Sequence, residues 1–170
     1  MEQQKNKEIL NQILHDVEDF AKMKNIDYPP IYLLGGSGCI VAGYLDRATT
    51  DIDLLDMSYN ASMGRLLRIM EKYDLLDLYL TTIPDDFKSR ATKIENFENI
   101  YVLSVEDIIL SKIGRYSQTD IEDISLLIEL ADKKRLPSLI ELVIKRENIS
   151  SRVKHVFIEN VKYFRERFYV

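Results

Sequence analysis

The stretch Tyr32-Leu33-Leu34-Gly35-Gly36-Ser37, followed by Arg47-Ala48-Thr49-Thr50-Asp51-Ile52-Asp53, decides how the rest of this sequence is read. An apolar run over 31–34 stops abruptly at two glycines and a serine, the pattern of a buried strand giving way to a tight turn and a helix. A short helix over 37–45 follows, with Cys39, Ile40, Val41, Ala42 and Leu45 as its apolar positions. A second strand over 51–56 carries two aspartates one residue apart. Side chains alternate along a strand, so Asp51 and Asp53 project from one face while Ile52 and Leu54 go to the other. Two carboxylates so placed repel each other unless a cation lies between them, and a divalent metal is the usual resolution.

Around this stretch, 170 residues with 46% hydrophobic and 30% charged side chains suit one globular domain, or one domain with a small helical appendage. No apolar run approaches membrane-spanning length, and Met-Glu-Gln-Gln-Lys-Asn-Lys at the start lacks a signal-peptide core. One cysteine, Cys39, excludes an intramolecular disulfide framework and speaks against a zinc cluster. The expectation is a cytoplasmic protein with no membrane association. The net charge of −5 argues against a general nucleic-acid binder, but it is unevenly spread. Residues 131–170 hold 10 Lys+Arg against 5 Asp+Glu, and the first 130 hold 13 against 23. An acidic front suits metal binding; the basic tail suits either a polyanionic partner or a solvated helix surface.

Periodicity supplies the remaining elements. Leu10, Ile13, Leu14, Val17, Phe20 and Ala21 fall at helical spacing and predict a helix over 4–25, ended by Asp27-Tyr28-Pro29-Pro30. A helix over 61–73, a strand over 75–80 carrying Asp77, and a hairpin of strands over 91–96 and 100–103 come next. The remainder reads as helix: from Ser104 to about 116, from a Thr119 cap to about 133, from Pro137 to about 146, and from Ser150 or Ser151 onward.

The glycine pair has three readings. A P-loop needs Lys-Ser/Thr after the glycines, where this chain has Cys39-Ile40. A dinucleotide fingerprint fares little better, since Val41 stands at the third glycine position. A phosphate cradle fits: Gly35 and Gly36 let the backbone approach a ligand, helix-terminal amides face its phosphates, and the Ser37 hydroxyl adds a donor.

Gly35-Gly36-Ser37 followed by Arg47-x-Thr49-x-Asp51-Ile52-Asp53-Leu54 resembles the signature of the DNA polymerase β-like nucleotidyltransferase superfamily, and within it the bacterial minimal and toxin-type (AbiEii-like) nucleotidyltransferases. The resemblance covers about residues 30–130; the stretch 103–112, with Asp120 and Asp123, resembles the helical segment of the toxin-type branch. It implies an α+β fold: a small mixed β-sheet flanked by helices, with the N-terminal helix, over 1–103, then a helical C-terminal part over 104–170. It implies a Mg²⁺-dependent transfer of a nucleoside monophosphate from an NTP to a hydroxyl on tRNA, a protein or a small molecule, with Mn²⁺ as an alternative metal. Asp51 and Asp53 become metal ligands, with Asp77 (Asp74 its competitor) as the third catalytic acid. Gly35, Gly36 and Ser37 hold the triphosphate, and Arg47 and Thr49 brace the loop or approach phosphate, Arg47 being equally suited to pair with Asp46 or Asp53. Lys112 either contacts phosphate or joins Arg115, Asp120 and Asp123 in an ion-pair network. The toxin-type resemblance further implies an antitoxin partner, and an oligomer is compatible with it. The rival readings are a non-catalytic binding module on the same fold and an antibiotic nucleotidyltransferase.

Overall fold

Four consecutive residues, Ile31–Leu34, are all buried, and as strand β1 they form the middle of a five-stranded sheet. The computed structural model describes residues 4–170. Before β1 comes helix α1 (Lys7–Met23); after it come α2 (Gly35–Ala42), β2 (Ile52–Asp56), α3 (Ala61–Leu67), β3 (Tyr73–Asp77), β4 (Thr92–Lys93) and β5 (Ile100–Val102). The strand order is β3-β2-β1-β5-β4. β1 runs antiparallel to β2, with Leu34 opposite Asp53, and parallel to β5, with Ile31 opposite Ile100. β4 returns antiparallel along β5, the expected hairpin. The mixed sheet flanked by helices and the helical C-terminal part match the fold expected from the sequence.

The chain divides into two compact units, one running to Leu76 together with Ala91–Val102, the other Asp77–Arg90 together with Leu103–Val170. In the first, alternation along the strands sends Ile31, Leu33, Ile52, Leu54 and Ile100 into one apolar cluster. The stripe Leu10, Leu14, Val17 and Ala21 of α1 closes on it, with Ile40 and Val41 of α2 and Met63, Leu66 and Leu67 of α3. Each of the Leu, Ile, Val and Met side chains among them, fully withdrawn from water, contributes about 1.5–3 kcal/mol. Glu18 lies on the buried side of α1, where its carboxylate accepts from the Tyr28 hydroxyl (3.0 Å) and the Glu98 amide (2.7 Å), so the α1–β1 connection and the turn before β5 are tied to one side chain.

The second unit is built on α4 (Val105–Ile113), whose Ile108, Ile109, Leu110 and Ile113 are all fully buried. Helices α5 (Gln118–Leu127), α6 (Leu136–Lys145) and α7 (Ser151–Phe168) complete it. Arg90 grips Asp107 near the start of α4 through two hydrogen bonds of 3.0 and 2.9 Å. Arg146, just after α6, is buried and donates to the carbonyls of Thr81 (2.7 Å), Ile83 (2.9 Å) and Leu78 (3.0 Å) while pairing with Asp85 (2.8 Å). One guanidinium therefore satisfies the backbone of a whole irregular segment.

Three elements differ from the periodicity. The helix expected over 61–73 ends at Leu67, continues as a 3-10 turn over Arg68–Met70, and is stopped by Glu71, whose backbone sits at φ 59, ψ −62. The Lys72 amide reaches back to the Met70 carbonyl (2.6 Å), which makes a γ-turn of the rare, strained hand centred on Glu71. The strand expected over 75–80 instead covers Tyr73–Asp77 and gives way to a 3-10 turn over Leu78–Leu80, because the Asp77 carboxylate accepts from the Tyr79 amide (2.7 Å) and Arg146 takes the Leu78 carbonyl. Ser117 rather than Thr119 caps α5, in a reciprocal box with Asp120.

Candidate active site

The turn from β1 into α2 places the glycine pair against the second half of the motif. Gly35 has φ +59, and a Cβ built on it would lie 2.1 Å from Asp53 Oδ2. A Cβ on Gly36 would lie 2.8 Å from Arg47 Nη2 and 3.4 Å from Thr49 Oγ1. The first position therefore excludes a side chain, by its backbone and its neighbour; at the second, a side chain would require the end of Arg47 to shift. Gly35, Gly36, Arg47, Thr49 and Asp53, predicted from sequence, are brought together here.

Ser37 takes a different part from the one expected of a phosphate donor. It is fully buried; its hydroxyl donates to the Leu34 carbonyl (3.3 Å) and accepts from the Asp53 amide (2.8 Å). It is thus a stitch between the end of β1 and the middle of β2, fixing the register at which Asp53 meets Gly35. The first turn of α2 has Leu34 at its N-cap and no side-chain cap. Leading amides and the positive end of a helix dipole are groups that can receive an anion.

Asp51 precedes β2 and is about one-third exposed. Its Oδ1 pairs with Lys72 Nζ at 3.0 Å, and its Oδ2 accepts from the Thr50 hydroxyl at 3.0 Å. The Lys72 ammonium, ahead of the opposing effect of partial burial, holds the Asp51 carboxyl below the usual range, helped by Thr50 and by the charge of Lys5. Lys5 is itself tethered: its backbone pairs with Thr49 in both directions (2.6 and 3.0 Å), and its Nζ donates to the Thr50 carbonyl (2.6 Å). A recess of about 370 Å³, lined by Lys5, Ile9, Ile13, Thr50, Met70 and Lys72, adjoins this pair. Arg47 is half-buried and donates from Nη1 to the Ala48 carbonyl (3.0 Å); the Thr49 hydroxyl donates to the Asp51 carbonyl (3.4 Å).

The two other predicted residues belong to the second unit. Asp77 caps the 3-10 turn that follows it. Lys112 is buried, its ammonium 2.6 Å from Asp123 Oδ2 and 3.5 Å from Asp120 Oδ1, and Arg115 binds Asp120 at 2.8 and 3.3 Å. This is the ion-pair network joining α4 to α5. Burial pushes the Asp120 carboxyl up, but the Arg115 and Ser117 hydrogen bonds and the Arg115 and Lys112 charges outweigh it and leave the group below its usual value.

Asp51 and Asp53 offer hard oxygen donors of the kind Mg²⁺ and Mn²⁺ take. Among the described residues no three His, Cys, Asp or Glu side chains come together as a metal-holding group. The motif's own donors are the two carboxylates of Asp51 and Asp53, and Mg²⁺ beside nucleotides commonly takes one or two carboxylates and fills its shell with water and phosphate oxygens. Sequence reasoning missed Lys72 and Lys5, which bring positive charge to Asp51 from the turn before β3 and from the segment before α1. Neither carries a motif signal.

A family model described as "Nucleotidyltransferase of unknown function (DUF6036)" matches residues 6–166. The chain belongs to this family. No curated protein and no solved structure matches it. Membership supports nucleotidyl transfer as the general activity and a nucleotide as substrate. No helix among the described residues is long and apolar enough to cross a membrane.

Proposed function

We propose that this family member is a Mg²⁺-dependent nucleotidyltransferase that moves a nucleoside monophosphate from an NTP to a hydroxyl acceptor. The observation that carries the reading is the glycine pair wedged between the Asp53 carboxylate and the Arg47 guanidinium, at the start of a helix that no side chain caps. Such a turn leaves main-chain amides for phosphate oxygens, with a carboxylate on one side and a cation on the other. Ser37 fixes Asp53 in register, Arg47 and Thr49 flank the turn, and Asp51 stands two residues before Asp53, just ahead of β2. Held by Asp51 and Asp53, Mg²⁺ would neutralise phosphate charge and lower the pKa of the attacking hydroxyl. The acceptor oxygen forms a bond to the α-phosphorus as the bond to the β-phosphate oxygen breaks, pyrophosphate leaves, and the hydroxyl proton passes to solvent. Within this reading the acceptor is a tRNA, protein or small-molecule hydroxyl, and the protein acts as the toxin of a toxin–antitoxin pair. Asp77 enters as a third acid on its sequence setting.

Thermal unfolding with each NTP, with and without Mg²⁺, tests the core of this reading. Wild type is expected to gain stability only with metal and nucleotide together, and Asp51→Ala/Asp53→Ala to lose the gain. A wild type indifferent to every Mg²⁺–NTP pair refutes it. Labelled NTPs with total tRNA then report the acceptor, and co-purification with the product of the adjacent gene tests the antitoxin. The intact Asp51/Asp53 pair favours the enzyme over its rival, a module that binds nucleotide without turnover. Metal-dependent stabilisation with no pyrophosphate released from any NTP–acceptor mixture would select it.

A further inference from the structure

Helix α2 has the glycine turn at one end and, at the other, a recess of about 450 Å³ walled by α1 and by the hairpin of β4 and β5. That volume is in the range of small-ligand sites. Lys7, Asn11 and His15 line it from α1, four residues apart and so on one face of the helix. Lys93 of β4 and the turn residue Asn96 line the opposite side, and Val41 and Val102, both buried, add an apolar surface. The His15 imidazole is stacked on the Phe97 ring, with centroids 4.5 Å apart and planes 28° from parallel. Phe97 belongs to the apolar core, whereas His15 is exposed. The inner ring of this pair is therefore fixed by packing, and the outer ring keeps one face for a third ring. Among the described residues, neither the Lys7 nor the Lys93 ammonium is held in an ion pair or a hydrogen bond. The lining sets these two cations against one carboxylate, that of Glu95.

An aromatic platform, two unengaged ammonium groups and two carboxamides together suit a planar heterocycle that carries an anion. We propose that this recess is a second nucleotide subsite, distinct from the glycine turn. The base stacks on His15, the Asn11 and Asn96 carboxamides serve its edge, and Lys7 and Lys93 take its phosphate. Binding here needs no divalent ion, because ammonium groups supply the charge that the phosphate meets. The eight residues of α2, about 12 Å of helix, run between this recess and the glycine turn, so the subsite is filled independently of Asp51 and Asp53. A free nucleotide and one link of a single strand offer the same chemistry, since every base has a face to stack.

Quenching of 2-aminopurine riboside monophosphate fluorescence in EDTA reads the stacking directly, without metal or turnover. Wild type should quench the probe. His15→Ala should bind it about tenfold more weakly, within the range that loss of one base–aromatic stack produces, and His15→Phe, which keeps a ring, should bind like wild type. Lys7→Met/Lys93→Met should bind the monophosphate no better than the uncharged riboside, and with little dependence on salt. Asp51→Ala/Asp53→Ala should bind the probe like wild type. A tetranucleotide carrying the same base identifies a strand as the source if it binds more tightly than the monophosphate, and a free nucleotide if it does not. No quenching by wild type with either probe, or quenching that His15→Ala leaves unchanged, overturns the subsite and leaves the proposed function standing. Quenching lost in Asp51→Ala/Asp53→Ala puts the nucleotide at the glycine turn and overturns it as well.

Discussion

Replacing Gly35 by alanine should damage the fold and the site together, through one atom. The new Cβ would stand 2.1 Å from Asp53 Oδ2 and 2.7 Å from its Cγ, whereas real Cβ atoms essentially never come within 3.0 Å of another heavy atom. The carboxylate must retreat by about 1 Å. Left-handed backbone at φ +59 adds about 1–2 kcal/mol for a residue with a Cβ. Forcing the extra carbon into a packed turn adds about 1–3 kcal/mol. The total, about 2–5 kcal/mol, is divided between lost stability and a displaced Asp53 according to which yields. A misplacement of about 1 Å at a reacting centre costs about 100-fold in rate. Gly64→Ala is the matched control, since a Cβ there meets nothing within 4 Å inside helix α3. It should stabilise by about 0.5–1 kcal/mol. Urea unfolding measures the first quantity, and Mg²⁺–NTP stabilisation with pyrophosphate release measures the second. Gly35→Ala with wild-type unfolding and an intact Mg²⁺–NTP response would refute the claim that the turn and Asp53 share this space.

Three further outcomes are expected. Arg146→Met leaves the carbonyls of Leu78, Thr81 and Ile83 without their buried donor, and should cost about 3 kcal/mol or more by urea unfolding, with faster hydrogen exchange over 78–85. Asp120 has a folded pKa below the ordinary aspartate value of 3.8, so its contribution is present above that pH and is lost as pH falls through the lower folded value; Asp120→Asn should destabilise at neutral pH and flatten the acid limb of a stability–pH curve below about pH 4. Asp77→Asn keeps a side chain able to cap the Leu78–Leu80 turn and removes only the charge, so unfolding should be unchanged. A fall in turnover of about 100-fold or more would then enlist Asp77 as an acid in the reaction, and unchanged turnover would leave it a cap.

Much of the first unit was legible in the sequence because its signals are local. The apolar run before Gly35, the alternation of Asp51-Ile52-Asp53-Leu54 and the stripe on α1 each reflect a single element packing on one core, and those elements stand where expected within a few residues. What escaped the sequence depends on distant partners. Leu76-Asp77-Leu78-Tyr79-Leu80 alternates like a strand, yet Arg146, far along the chain, draws off the Leu78 carbonyl and Asp77 caps a turn instead. The apolar spacing through Met70 continues toward Tyr73 as if helical, and nothing in Glu71 announces a left-handed residue. A serine after two glycines reads as a phosphate donor, but Ser37 spends its hydroxyl on Leu34 and Asp53 because the turn folds it inward. Of the candidate site, the residues in the motif were legible; Lys72, which pairs with Asp51 from the turn before β3, was not.

The backbone bridge between Lys5 and Thr49 has a practical consequence for handling the protein. Lys5 is thereby held one short ladder away from Asp51, where it and Lys72 shape the charge of that carboxylate. A histidine-rich purification tag on that side would bring metal-binding imidazoles to the place where metal affinity is to be measured.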